Sequence, residues 1–282
     1  MHIPRRHALS LLSAGAALLP FAPARALAQL FGGQALASDV SFGPAARHKL
    51  DIYAPPRDGT RRPVVLFIYG GSWSSGSKET YGFVGQALAA RGFVTVIADY
   101  RLVPEVRFPG FVEDGALALR FIRQSIATYG GDPQRISVLG HSAGAYNAVM
   151  LALDPRFLAG AGVPPGTIRR VAALSGPYDF LPLDHPSTIA AFGQTRDLSR
   201  TQPVNLVRRG APPMLLGTGT ADTTVLPRNS EALARRLQAA GSRVELRRYE
   251  GVGHPGTILA FNGFLSGTAP TLADVTRFLG AG

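Results

Sequence analysis

The sequence predicts an α/β domain, a mostly parallel sheet with helices on both faces. Two observations carry this expectation. Short runs rich in Val, Ile and Leu, such as "VVLFIYG" and "FVTVIADY", alternate along the chain with longer stretches of helical pattern. The runs are continuously apolar instead of alternating with polar residues, as strands covered on both faces by helices must be.

Taken in order, the chain begins with "MHIPRRHALSLLSAGAALLPFAPARALA", a basic start, an apolar stretch over 8–21 and a small-residue Ala26-Leu27-Ala28 ending. That layout predicts an export signal over 1–28. The apolar stretch is shorter than the roughly 20 residues of a membrane-spanning helix, so no stable membrane insertion is expected. The adjacent Arg5 and Arg6 suggest the twin-arginine route. The remaining 29–282 is long enough for one sizeable core. Strands are expected at 48–54, 64–70, 93–100, 135–140, 170–176, 214–219 and 243–250. Helices are expected near 80–91, 112–128, 143–153, 228–240 and 271–280. Gly130-Gly131 punctuate a helix end, and Asp132-Pro133 turn the chain into the next strand. The alternation lapses over 177–213, where several prolines, scattered charges and one apolar patch at 189–192 predict an irregular excursion above the sheet, a small lid.

The chain has no cysteine, which excludes disulfides, zinc-thiolate sites and a cysteine nucleophile. The formal charge of +11 becomes +8 (11 − 3) without Arg5, Arg6 and Arg25. Arginine is scattered, with no basic run and no basic-aromatic interleave, so the charge reads as a solvated surface and no nucleic-acid partner is expected. Arg196, Arg200, Arg208 and Arg209, in and near the excursion, are read the same way.

The chemistry starts at "VLGHSAGAYN". G-x-S-x-G is weak alone in a chain with 33 glycines. Here a buried-strand pattern precedes Ser142 and a helical pattern follows it, the setting of a nucleophile elbow, with Gly140 and Gly144 allowing helix and strand to approach closely. A serine hydroxyl needs a base. Of the six histidines, His2 and His7 fall in the export segment, His48 begins a strand, His141 is turned away from the reacting face by the elbow, and His185 lies in the excursion. His254 in "YEGVGHPGT" follows the last strand on a glycine-flanked loop, the one placement that presents an imidazole to Ser142. The imidazole needs an orienting carboxylate. Asp222 in "MLLGTGTADTTV" follows the preceding strand, and Asp179 in "SGPYDF" is the competing acid. The order Ser142, Asp222, His254 is the Ser, acid, His order of an α/β-hydrolase. Oxyanion donors are expected from Gly71 and Ser72 after the strand "FIYGG" and from Ala143 at the start of its helix.

With these residues in view, the chain resembles the α/β-hydrolase superfamily. Within it the likeness is to esterases related to hormone-sensitive lipase and to acetylxylan/feruloyl esterase-like carboxylesterases. "YGGSW" resembles the H-G-G-x-W oxyanion motif, "DYRLVPEVRFP" the segment after the next strand, and "GHSAG" the elbow. The resemblance implies an eight-stranded sheet, a lid of variable structure, and hydrolysis of a small-molecule carboxylic ester through an acyl-enzyme with no cofactor or metal. Tyr69 stands where these enzymes usually carry a histidine that supports the oxyanion loop. Arg101, Glu105 and Asp114 belong to the second segment and are expected to brace loops. An arylformamidase or other amide hydrolase with the same triad is the alternative, and a noncatalytic binding protein of this fold is the third reading. The residues assign no oligomeric state.

Overall fold

The computed structural model describes residues 35–280. The expected export segment over 1–28 lies outside them. Eight strands form one sheet in the order β1-β2-β4-β3-β5-β6-β7-β8. They are β1 (Ala37–Ser41), β2 (Lys49–Tyr53), β3 (Arg62–Ile68), β4 (Val94–Ala98), β5 (Gly131–His141), β6 (Ile168–Leu174), β7 (Met214–Gly219) and β8 (Val244–Tyr249). β2 runs antiparallel to β1 and β4, and every other pairing is parallel. This is the eight-stranded, mostly parallel sheet of an α/β-hydrolase.

Burial explains which runs became central strands. Val64 to Phe67 of β3, Val138 and Leu139 of β5 and Leu215 and Leu216 of β7 are fully buried. The two edges differ. β8, "VELRRY", places Glu245, Arg247 and Arg248 along an exposed border, which discourages pairing with another chain. β1, "ASDVS", is half-exposed, and it is the strand the apolar runs did not announce.

After the antiparallel β1 and β2, the chain starts the parallel part at β3, crosses to β4, and reverses direction along the sheet on its way to β5. With right-handed crossovers, that reversal puts the helix Gly82–Ala89 on one face and Gly110–Ser125, Ala143–Leu153 and Arg228–Ala239 on the other. It also leaves a crevice beyond the carboxyl ends of β3 and β5, where α/β sheets place their ligands. The loops 69–76 and 141–143 leave the sheet there.

The segment 177–213 is more ordered than its sequence suggested. It holds a helix at Pro186–Phe192 and tight turns at Leu198–Thr201 and Pro203–Asn205. Ala191, Phe192, Thr201, Gln202 and Val204 are buried. Phe192 packs edge-on to Trp73 with ring centroids 4.8 Å apart and reaches Phe111, Tyr146 and Phe180. Tyr146, in the helix after the elbow, donates to the Thr201 carbonyl at 2.8 Å. Aromatic pairs each add about 0.5–1.5 kcal/mol beyond their burial. The excursion is therefore a packed cap clamped to the elbow helix.

Candidate active site

Ser142 occupies the turn between β5 and the helix Ala143–Leu153, with φ 55° and ψ −124°. A left-handed conformation at a residue carrying Cβ costs on the order of 1–3 kcal/mol, so the surroundings must enforce it. They do so by close approach. A Cβ on Gly144 would lie 2.0 Å from the Ile68 carbonyl oxygen, and one on Gly140 would lie 2.3 Å from that of Gly144. The Ser142 N–H donates to the Leu174 carbonyl at 2.9 Å, fixing the turn to β6.

His254 Nε2 is 2.9 Å from Ser142 Oγ, and His254 Nδ1 is 2.8 Å from Asp222 Oδ2. With its proton on Nδ1, the ring donates to the carboxylate and accepts the serine hydroxyl. Asp222 is buried, and its other oxygen accepts the N–H groups of Thr224 and Val225 at 3.0 and 2.8 Å. Burial pushes this carboxyl up, but the hydrogen bond from His254, the Val225 N–H and the imidazole's charge outweigh it, leaving Asp222 below the ordinary carboxylate value. It stays ionised.

The carbonyl of His254 is held from two sides. His141 Nε2 donates to it at 3.2 Å and Thr257 Oγ1 at 3.3 Å. His141 is buried beneath His254, ring centroids 5.1 Å apart. Desolvation first, and then the neighbouring His254, lowers its pKa to about 3, so it is a neutral donor. His141, turned away from the reacting face by the elbow, thus also positions the loop that carries His254.

Ser72, Trp73, Ser142 and Ala143 line a cavity of about 410 Å³, within the range of small-molecule sites. Its far wall is the cap, with Pro177, Asp179, Phe180 and His185, and Thr223 to Leu226 close one side. Asp179 therefore faces the cavity and makes no hydrogen bond with His254. His185 caps the helix Pro186–Phe192, its Nδ1 accepting the Ser187 N–H at 3.3 Å. Gly71 opens the loop that leads from β3 to Ser72 and Trp73. Its φ is 128°, and its carbonyl accepts the Ser74 and Ser75 N–H groups at 3.0 Å, closing a tight turn. Ser72 and Trp73 follow with φ 53° and 58°, and the Trp73 indole donates to Asn147 at 3.1 Å.

Tyr69 supports this loop in place of a histidine. Its hydroxyl donates to Asp99 at 2.6 Å and accepts from Arg47 at 2.9 Å, and Arg47 also donates to the Gly76 carbonyl at the loop's far end. The Tyr69 ring stacks on Tyr100 and Tyr81. Nothing in the sequence pattern linked Arg47, Tyr69 and Asp99. Arg101 and Asp114 brace each other, Arg101 Nη2 to Oδ1 at 2.6 Å, and His48 approaches the same carboxylate at 3.0 Å. Glu105 is exposed and makes no such contact. Among the described residues, no group of three or more His, Cys, Asp or Glu could hold a metal ion, and no helix is long and apolar enough to cross a membrane.

Comparison with known proteins agrees with this geometry. A probable isoprenylcysteine alpha-carbonyl methylesterase of Oryza sativa subsp. japonica is 30% identical over 237 residues, 76% of this chain and 56% of that protein. A carboxylesterase of Mycobacterium tuberculosis is 32% identical over 217 residues, 69% of this chain and 66% of its own. The chain thus spans a little over half the length of the plant relative. Among solved structures, apo Thermogutta terrifontis esterase 2 superposes with a TM-score of 0.72 at 26% identity, covering 88% of this chain and 95% of that one. The BD-FAE family model matches residues 50–237, and the chain, an α/β-hydrolase, belongs to the BD-FAE family.

Proposed function

We propose that this protein is a serine carboxylesterase that cleaves small carboxylic esters through an acyl-enzyme. The carrying observation is the unbroken relay from Ser142 Oγ through His254 to the ionised Asp222, at 2.9 and 2.8 Å, opening on a cavity of about 410 Å³. Its relatives named as esterases support the same reading.

In the first half-reaction Ser142 Oγ attacks the ester carbonyl while His254 Nε2 takes its proton. Asp222 holds the ring in the required tautomer and balances the imidazolium. The carbonyl oxygen, now negative, is received by the N–H groups of Gly71, Ser72 and Ala143. Each such donor is worth on the order of 3 kcal/mol in the transition state. His254 then returns the proton to the leaving alcohol. In the second half-reaction it deprotonates a water that attacks the acyl-Ser142 ester, and the acid leaves. No residue in this sequence of steps calls for a cofactor or metal.

The layout of 1–28 supports export, and we place the mature enzyme in the bacterial periplasm or outside the cell. The activity is tested with p-nitrophenyl esters of increasing acyl length beside N-formylanilines. An esterase turns over the short esters with kcat/KM well above that for the formamides. The reverse ratio contradicts the proposal.

A further inference from the structure

A second cavity, of about 580 Å³, lies on the other side of the cap from the candidate active site. Its floor is apolar, formed by Phe108, Leu117, Phe157 and Ala161, and its rim carries Arg101, Arg156, Arg196 and Arg200 against Glu113 and Asp197. Two of these arginines are occupied. Arg101 is held by Asp114, with Nη2 to Oδ1 at 2.6 Å, and Arg156 by Asp154 at 2.5 Å. Asp197 is turned inward to its own loop, its Oδ1 accepting the Ser199 hydroxyl at 2.6 Å and the Ser199 N–H at 3.1 Å. Arg196 and Arg200 make no ion pair within 4 Å among the described residues, and both are exposed on the rim.

Two guanidinium groups with no ion pair within 4 Å, Arg200 acting on Asp154 and Asp197 at longer range, stand at the mouth of an aromatic and aliphatic cavity and match one kind of molecule. It carries an apolar body for Phe108, Leu117 and Phe157 and a carboxylate for the arginine forks, whose planar donors fit that group. We infer that this cavity is a binding site for a small amphipathic carboxylate, anchored by Arg196 and Arg200.

The site is separate from Ser142 but not isolated from it. The Phe108 N–H donates to the Ala191 carbonyl at 3.0 Å, and the Phe108 and Phe192 rings lie 5.6 Å apart. Phe192 in turn contacts Trp73, which lines the catalytic cavity. One aromatic partition thus separates the two cavities, and the cap supplies a wall of each. An ester hydrolase releases a carboxylate at every turnover, yet the inference rests on the second cavity's own residues and stands whatever reaction Ser142 performs.

Trp73 is the sole tryptophan in the chain, so its fluorescence reports on the partition. Octanoate titrated into the protein should give a saturable change, and octanamide, of similar shape but uncharged, should bind more weakly. The double variant Arg196→Gln/Arg200→Gln should weaken octanoate by about tenfold or more, the loss expected when charge-assisted hydrogen bonds go. Neither arginine lines the catalytic cavity, so that loss locates the ligand. Arg235→Gln/Arg236→Gln, which removes the same charge from an exposed helix face, should leave the affinity unchanged. The inference is overturned if octanamide binds as tightly as octanoate, if both double variants weaken binding equally, or if Arg196→Gln/Arg200→Gln has no effect.

Discussion

The Tyr69 hydroxyl donates a 2.6 Å hydrogen bond to the buried carboxyl of Asp99, and through Arg47 that pair reaches the Gly76 carbonyl at the end of the loop carrying Ser72. A phenol does here what a histidine does in the esterases this chain resembles. It fixes a loop whose residues 71–73 all have positive φ and would not hold that shape unaided. Asp99 also accepts the Lys78 N–H at 2.8 Å, so both ends of the loop converge on one carboxyl.

Tyr69→Phe keeps the ring stacking and removes only the hydroxyl. Losing a hydrogen bond to a charged group costs about 1.5–3 kcal/mol, which for a domain of this size lowers Tm by several degrees. Because the loop carries the proposed oxyanion donors Gly71 and Ser72, kcat should fall more than KM rises. Steady-state kinetics and a thermal melt on the same preparation check both. A variant with unaltered kcat and a lowered Tm would confine Tyr69 to stability.

Asp222 and Asp179 both follow strands and both approach the catalytic cavity, but only Asp222 contacts the imidazole. Asp222→Asn should lower kcat by about four orders of magnitude, the scale set when a triad carboxylate becomes an amide and the wrong tautomer results. Asp179→Asn should stay within an order of magnitude of wild type. Equal losses in the two variants would remove the distinction.

How far the sequence disclosed this arrangement follows from which residues carry a local signal. Ser142, Asp222 and His254 each follow a run read as a strand, so chain order alone brought them to one sheet edge. β1 escaped notice because "ASDVS" is an edge strand whose two apolar residues, Ala37 and Val40, are separated by Ser38 and Asp39 and make no run. The cap helix escaped because Pro186–Phe192 is two turns long, too short for a period to register. Arg47, Tyr69 and Asp99 come from three distant segments with no shared pattern. Arg196 and Arg200 were read as solvated charge; both are exposed, but their place above an apolar cavity is visible only in three dimensions.

Stability should fall on acidification, and His141 predicts where. Its pKa in the fold is about 3 against an ordinary 6.5. Between those values the unfolded chain binds a proton that the folded chain refuses, so stability is full above about pH 6.5 and declines as pH drops toward 3. One such group contributes a slope of up to about 1.4 kcal/mol per pH unit. Asp222, held below its ordinary value, adds a loss of the same sign at the acid end of that window. Urea unfolding at pH 7, 6, 5 and 4 measures the slope. His141→Gln keeps an N–H donor for the His254 carbonyl and should flatten the decline by one proton's worth. An unchanged slope would mean that His141 is not held neutral.

The central claim, that Ser142 is a nucleophile activated by His254, is tested most directly by intact-mass spectrometry after brief exposure to a fluorophosphonate. Wild-type protein should gain the mass of one phosphonyl group, mapped by peptide sequencing to Ser142, with loss of esterase activity in step. Ser142→Ala should gain none, and His254→Asn should react far more slowly. No adduct on the wild type, or an equal adduct on Ser142→Ala, would contradict the account.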